Sequence, residues 1–157
     1  MQFERTIQAL CDSAVQFVVI GGVAATLDGS SRVTYDLDIC YGRSPENLLR
    51  LVAALRPYRP PPRGFPANLP FSWAEKTLGN STILTLKTDL GEIDLLAEVA
   101  GIGAYREVEE HSLSVEAFGR SIRALRLRSL IDAKRAADRP KDREALVELE
   151  SLLESGE

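Results

Sequence analysis

The stretch that decides the fold is TYDLDICY, residues 34–41 of a 157-residue chain. Polar and apolar side chains alternate along it, which is the period of a β-strand with one buried face. The predicted apolar face carries Tyr35, Leu37, Ile39 and Tyr41, and the opposite face carries Thr34, Asp36, Asp38 and Cys40. The two aspartates would project from the same side of the strand, roughly 6–7 Å apart along it.

Two carboxylates this close on a half-buried strand indicate one of two situations. Their mutual repulsion is relieved if they share a divalent cation, and Mg²⁺ is commonly held by one or two carboxylates together with substrate phosphates. Alternatively, they are two solvated acids on an edge strand, which is the more frequent explanation of a bare Asp-x-Asp pattern. The flanking sequence has to decide between the two.

A buried strand and a glycine pair precede the acids. Residues 16–20 read QFVVI, a β-branched run that predicts a strand, and it stops at Gly21 and Gly22. We expect a tight turn there, followed by a short helix over 23–27. Glycines at a helix N-terminus offer backbone N–H groups and a positive dipole end to a phosphate. A turn that merely requires glycine is the alternative.

A third carboxylate follows in a predicted hairpin. Residues 81–87 and 92–99 are expected to be its strands, joined by a turn at 88–91. Asp94 lies between Ile93 and Leu95, which claim the opposite face of the second strand. Asp94 would therefore be available to complete a metal site with Asp36 and Asp38.

The remaining patterns complete an α/β (α+β) fold. We predict a mixed, mostly antiparallel sheet with helices on one face and a C-terminal helical pair. Residues 1–127 would form the core, with residues 128–157 packed on the same domain. The predicted helices are 2–13, 45–56 begun by Ser44 and Pro45, 104–110, 128–137 and 140–155, with a proline-rich loop at 57–70, a helical turn at 71–76 and a second hairpin around 118–120.

This combination resembles the nucleotidyltransferase superfamily of DNA polymerase β. Within it, the chain is most similar to the small bacterial proteins akin to the AbiEii abortive-infection toxins. The shared pattern is a glycine pair, a short helix, Arg-x-Thr-x-Asp-x-Asp at 32–38 and a later strand aspartate, here Asp94. The resemblance covers roughly residues 15–100. It implies the nucleotidyltransferase fold.

The resemblance also implies a reaction, the Mg²⁺-dependent (or Mn²⁺-dependent) transfer of a nucleoside monophosphate from an NTP to a hydroxyl. The acceptor would belong to an RNA, a protein or a small molecule. Asp36 and Asp38 would bind two metal ions, while Asp94 would bind the catalytic one and help to deprotonate the acceptor. The implied nucleotide-binding residues are Gly21, Gly22, Arg32, Thr34 and Lys134.

One departure from the wider superfamily concerns the glycine pair. The usual pattern is Gly-Ser, whereas this chain has Gly21-Gly22, so a side-chain hydroxyl is missing from the phosphate loop. The toxin-like subgroup shares this feature. Similarity to this subgroup implies a toxin–antitoxin or phage-defence setting, with an antitoxin as partner.

Composition limits the other functions. The net charge is -4, yet residues 120–143 hold nine Lys or Arg against three Asp, a patch that suits a polyanion or is a solvated helix face. No apolar run approaches the ~20 residues needed to cross a bilayer, and two cysteines are too few for a disulfide framework, so we expect a cytoplasmic protein without membrane contact. The rival functions are a non-catalytic NTP-binding regulatory module and an interaction protein whose basic C-terminal region binds RNA or an acidic partner.

Overall fold

The computed structural model describes residues 3–32, 34–61, 73–79 and 82–155. Most of the predicted proline-rich loop and the start of the helical turn at 71–76 lie outside them. The strands are β1 (Phe17–Ile20), β2 (Asp36–Tyr41), β3 (Ile83–Thr88), β4 (Gly91–Leu96), β5 (Glu98–Val99), β6 (Gly103–Ala104), β7 (Ser112–Ala117) and β8 (Arg120–Leu125). The helices are α1 (Phe3–Asp12), α2 (Gly21–Leu27), α3 (Pro45–Leu55), α4 (Glu75–Gly79), α5 (Tyr105–Glu110), α6 (Leu127–Ala137) and α7 (Pro140–Ser155), with a 3₁₀ turn at Arg56–Tyr58.

Six of these strands form the main sheet, in the order β3-β4-β2-β1-β8-β7. The pairs β1–β2, β3–β4 and β7–β8 are antiparallel, whereas β2–β4 and β1–β8 are parallel. The predicted mixed, mostly antiparallel sheet is therefore confirmed. The short strands β5 and β6 pair separately, so the strand predicted over 92–99 is in fact interrupted after Leu96.

The alternation along β2 creates the boundary between the core and the acid face. Leu37 and Ile39 are completely buried, as are Ile93 and Leu95 on the neighbouring β4. Tyr35 was predicted to lie on the apolar face, and this prediction is wrong. The residue precedes the start of β2 and is 75% exposed. A residue before the strand does not obey the strand's alternation, so Tyr35 belongs to the surface.

Helix α2 starts immediately after β1, without the separate tight turn that we expected. Ile20 occupies the N-cap position, and Gly21 already belongs to the helix with φ +65°. Only glycine adopts this backbone conformation without strain. The direct strand-to-helix junction places Gly21 against Asp38 of β2 and Gly22 against Thr34, just before that strand.

The C-terminal helical pair is present as predicted, and it borders the acid face of the sheet. The joint between α6 and α7 is made by Asp138, which caps α6 in the left-handed conformation. Leu130, Ile131 and Leu149 of this pair belong to the same apolar cluster as the central strands. None of the described helices combines the length and apolarity needed to span a bilayer.

Candidate metal and nucleotide site

Three carboxylates converge on one face of the sheet, where the interior strands β2 and β4 lie side by side. Asp38 and Asp94 are direct register partners on these parallel strands, and Asp36 lies two residues before Asp38 on the same face. One oxygen from each of the three lies within 4.8 Å of the others, and all three side chains are half-buried. The sheet thus brings together the three acids that the sequence identified.

Asp38 is the least compensated member of the cluster. Its Oδ1 is buried and accepts no hydrogen bond from the described residues. The pKa of Asp38 is raised to about 7, mainly by burial and then by the neighbouring carboxylates of Asp94 and Asp36, while the positive charge of Lys134 acts in the opposite direction. An orphaned carboxylate oxygen in such surroundings is a group that a cation would stabilise.

The donor set fits a hard divalent cation. Carboxylate oxygens are the ligands that Mg²⁺ and Mn²⁺ accept, and neither cysteine nor histidine takes part in the cluster. The chemistry of the ligands does not distinguish between these two metals.

A pocket of about 280 Å³ opens beside the acids. Asp36 and Asp38 line it, together with all five residues predicted to bind nucleotide, namely Gly21, Gly22, Arg32, Thr34 and Lys134. Tyr35 and Lys141 also line this pocket and were not among the predicted site residues. Its far wall is formed by α6 and α7. The structure therefore places Asp36, Asp38 and three cationic side chains around one cavity, while Asp94 adjoins the two acids without lining it.

The glycine pair is explained by what lies opposite it. A Cβ on Gly22 would stand 2.6 Å from Thr34 Oγ1, too close for any side chain unless Thr34 moved. The Thr34 hydroxyl donates a hydrogen bond of 3.2 Å to the backbone carbonyl of Asp36. A hydroxyl is thus present next to this backbone turn, supplied by residue 34 because residue 22 has no side chain.

The loop that carries Arg32 is attached to helix α7. Ser30 and Ser31 both donate hydrogen bonds to the carboxylate of Glu148, and Arg32 lies 3.9 Å from Glu144. These contacts hold one wall of the pocket against the other. No sequence pattern pointed to Glu148, because its partners are more than a hundred residues away.

A second, smaller cavity of about 140 Å³ lies on the other side of Asp38. It shares Gly21, Asp38, Leu130 and Lys134 with the first pocket, and its polar lining also includes Arg139 and Asp142. The sequence analysis counted these last two residues only as part of a charged run. Their i, i+3 spacing around Pro140 is typical of a helix start, and it could have indicated that the two side chains contact each other.

The chain is therefore an α/β domain with a mixed six-stranded sheet and a candidate metal centre made of three carboxylates. No protein-family model and no curated protein matches the chain. Solved structures do match, and one of them is a Thermotoga maritima protein described provisionally as a nucleotidyltransferase. The two share 16% identity over 93% of this chain and 88% of the other, with a TM-score of 0.61. At this identity the likeness shows a common fold.

Proposed function

We propose that this protein is a divalent-metal-dependent nucleotidyltransferase that moves a nucleoside monophosphate from an NTP to a hydroxyl group. The observation that carries the proposal is the convergence of Asp36, Asp38 and Asp94 to within 4.8 Å of one another, with the first two lining a cavity that cationic side chains also line. Acids with no shared cation would repel each other there. A metal-bound polyphosphate satisfies both the acids and the cations.

In the proposed reaction the acceptor oxygen attacks the α-phosphorus of the NTP. A new P–O bond forms, the bond from the α-phosphorus to the bridging oxygen of the β-phosphate breaks, and pyrophosphate leaves. Asp94 is the group that we propose to take the proton of the acceptor hydroxyl, if it is not occupied as a metal ligand. Asp36 and Asp38 would hold the metal, and the buried Oδ1 of Asp38 has no hydrogen-bond partner among the described residues that would compete with it.

The charge on the triphosphate would be met from three directions. Arg32 is suited to bidentate phosphate contact, while Lys134 and Lys141 act as point charges. Gly21 and Gly22 let the backbone approach the phosphates, and Thr34 offers its hydroxyl at the same place. Mg²⁺ or Mn²⁺, when bound, would lower the cost of the charge that develops on the phosphoryl oxygens.

The acceptor and the biological setting are proposed from resemblance. An RNA end, a protein side chain or a small molecule would each supply the hydroxyl, and the toxin-like sequence pattern favours a toxin–antitoxin or phage-defence role. An antitoxin would then be the partner.

The experiment supplies each α-labelled NTP in turn with Mg²⁺ and a cell extract, and asks which molecule acquires the label. We expect one labelled product class and stoichiometric pyrophosphate. Asp38→Asn should lose at least 100-fold in rate, a loss typical of removing a group that stabilises charge in the transition state. Asp89→Asn is the matched control, because that carboxylate is exposed, pairs with Arg59 and lies on the β3–β4 turn outside the cluster.

Two outcomes would contradict the proposal. If Asp38→Asn transferred the label at the wild-type rate, the carboxylate cluster would not be needed for the reaction. Nucleotide and Mg²⁺ binding without any labelled product would instead favour a non-catalytic regulatory module with the same fold.

A further inference from the structure

One carboxylate at the joint of α6 and α7 is completely buried. Asp142, in the first turn of α7, has no exposed surface, although carboxylates are rarely buried unless paired. It accepts a hydrogen bond of 3.1 Å from the backbone N–H of Arg139, which caps the start of the helix. Capping alone would be equally served by an exposed side chain.

The same carboxylate binds two cationic side chains. Arg139 donates to it from Nε at 2.6 Å and from a terminal nitrogen at 3.1 Å, and Lys134 Nζ lies 3.3 Å away. Burial by itself would raise the pKa of Asp142, but the bonds from Arg139 and the charge of Lys134 lower it to about 2. Asp142 is therefore an anion at any physiological pH.

The two cations retain surface that faces the candidate site. The side chain of Arg139 is 55% exposed and that of Lys134 is 23% exposed, so the buried carboxylate anchors them without enclosing them. Both act electrostatically on Asp38. Lys134 lines both cavities beside Asp38, whereas Arg139 lines only the second.

We propose that Asp142 is a positioning residue that holds Lys134 and Arg139 as a pair of phosphate-binding cations beside Asp38. The ligand class is a polyphosphate, and the inference rests on the proposed function in that this polyphosphate belongs to the NTP. Arg139 adds a contact that the sequence did not identify.

Competition between carboxylates explains why Asp142 matters. Lys134 acts electrostatically on Asp38, whose carboxyl group belongs to the same acidic cluster as Asp36 and Asp94. If Asp142 were neutral, Lys134 would turn toward that cluster and neutralise it. Asp142 keeps the lysine on the outer side, where its charge remains available to a phosphate and the acids remain available to a metal.

The test measures binding of inorganic tripolyphosphate in the presence of Mg²⁺ by titration calorimetry, which avoids any dependence on the base. We expect Asp142→Asn to weaken binding at least fivefold and to make the Kd less dependent on salt. Asp138→Asn is the matched control, since Asp138 lies at the same joint, is exposed and pairs with Arg143. Its Kd should stay within twofold of the wild type.

A thermodynamic cycle separates positioning from folding. In a Lys134→Met/Arg139→Gln background, Asp142→Asn should change the Kd by less than twofold, because the residues through which it acts are gone. Should Asp142→Asn fail to fold, judged by circular dichroism, Arg139→Gln alone is expected to weaken binding at least threefold, and this exposed side chain is dispensable for the core.

The outcomes distinguish this inference from the proposed function. If Arg139→Gln or Asp142→Asn binds tripolyphosphate as tightly as the wild type, the inference is overturned, and the proposed nucleotidyl transfer is not affected. Tripolyphosphate binding that depends on Asp142, in a protein that transfers no label, supports the inference and contradicts the proposed function. A wild-type protein that transfers label but binds no tripolyphosphate overturns the inference alone.

Discussion

Gly21 lies so close to Asp38 that no side chain fits between them. A Cβ on Gly21 would stand 2.2 Å from Asp38 Oδ2 and 3.0 Å from its Cγ. The first residue of α2 and the central acid of the cluster are therefore in contact, backbone against carboxylate. The backbone at Gly21 is proposed to bind phosphate, and Asp38 is proposed to bind the metal. Their contact therefore sets the distance between the two proposed binding groups.

Gly21→Ala should be more destabilising than an ordinary glycine substitution at positive φ. The new methyl group meets the carboxylate in addition to the strained φ of +65°, so we expect a loss of about 3 kcal/mol in the free energy of unfolding. Gly119→Ala is the matched control, since φ there is +73° and nothing lies within 4 Å of a Cβ. It should lose about 1 kcal/mol. Urea titration of both variants measures the difference, and equal losses would show that the contact with Asp38 is unimportant.

Exchanging the hydroxyl between residues 22 and 34 gives a second prediction. Gly22→Ser should destabilise by about 1–3 kcal/mol because its Cβ would meet Thr34 Oγ1 at 2.6 Å. Adding Thr34→Ala should recover much of that loss, since it removes the clashing atom and returns the hydroxyl to residue 22. The double-mutant coupling energy, from urea titration, measures this recovery. Pairing Gly22→Ser with Ser114→Ala, an exposed site on β7, should give no coupling, and simple additivity in the first pair would refute the account.

The strand pattern was readable from the sequence because it depends on local chemistry. Leu37 and Ile39 are buried and the aspartates share the other face, as a period of two requires. The break between α6 and α7 was equally predictable, because Pro140 lacks the N–H that a continuing helix needs.

The convergence of the acids was not contained in any local pattern. It depends on β2 pairing in parallel with β4, in the register that sets Asp38 beside Asp94 across fifty-six positions of the chain. A one-residue shift would have sent Asp94 to the opposite face. The alternation around Asp94 indicated only that this residue was available for a shared site, and the resemblance to a known family strengthened the expectation that the three acids would meet.

Charge counting also concealed the role of Asp142. In the sequence it is one of several alternating charges, a pattern typical of a solvated helix face. The folded chain buries it completely and surrounds it with Lys134 and Arg139. Burial of a single charged side chain depends on tertiary packing and leaves no mark in composition.

Removing Glu148 should loosen the loop that carries Arg32. Glu148→Ala deletes the acceptor for both Ser30 and Ser31, which we expect to cost about 1 kcal/mol of stability and to raise the Kd for tripolyphosphate two- to fivefold. Chemical denaturation and calorimetry measure the two effects. Glu150→Ala is the control on the same helix, because its exposed partner Arg135 is outside the pocket. Equal behaviour of the two variants would indicate that the loop is held by other contacts.

The stability of the metal-free protein should fall as the pH rises toward neutrality. The pKa of Asp38 is raised from 3.8 to about 7, mainly by burial, so between these values the folded chain keeps a proton that the unfolded chain has lost. The unfolding free energy contributed by this group is thus fully present below about pH 4 and is lost as the pH rises through about 7. In EDTA, the wild-type Tm should decline across this window more steeply than that of Asp38→Asn, which lacks the titrating group.

Magnesium should reverse this behaviour, because it binds the ionised carboxylates. At about pH 8, saturating Mg²⁺ is expected to raise the wild-type Tm by several degrees, and the increase should shrink as Asp38 takes up its proton below about pH 7. Asp38→Asn should be the more stable protein in EDTA at the higher pH, by about 1 kcal/mol or about 3 °C, and should gain little from Mg²⁺. Differential scanning calorimetry over both conditions checks the pair of effects. If Mg²⁺ raised both Tm values equally, the ion would be binding somewhere other than at the Asp36, Asp38 and Asp94 cluster.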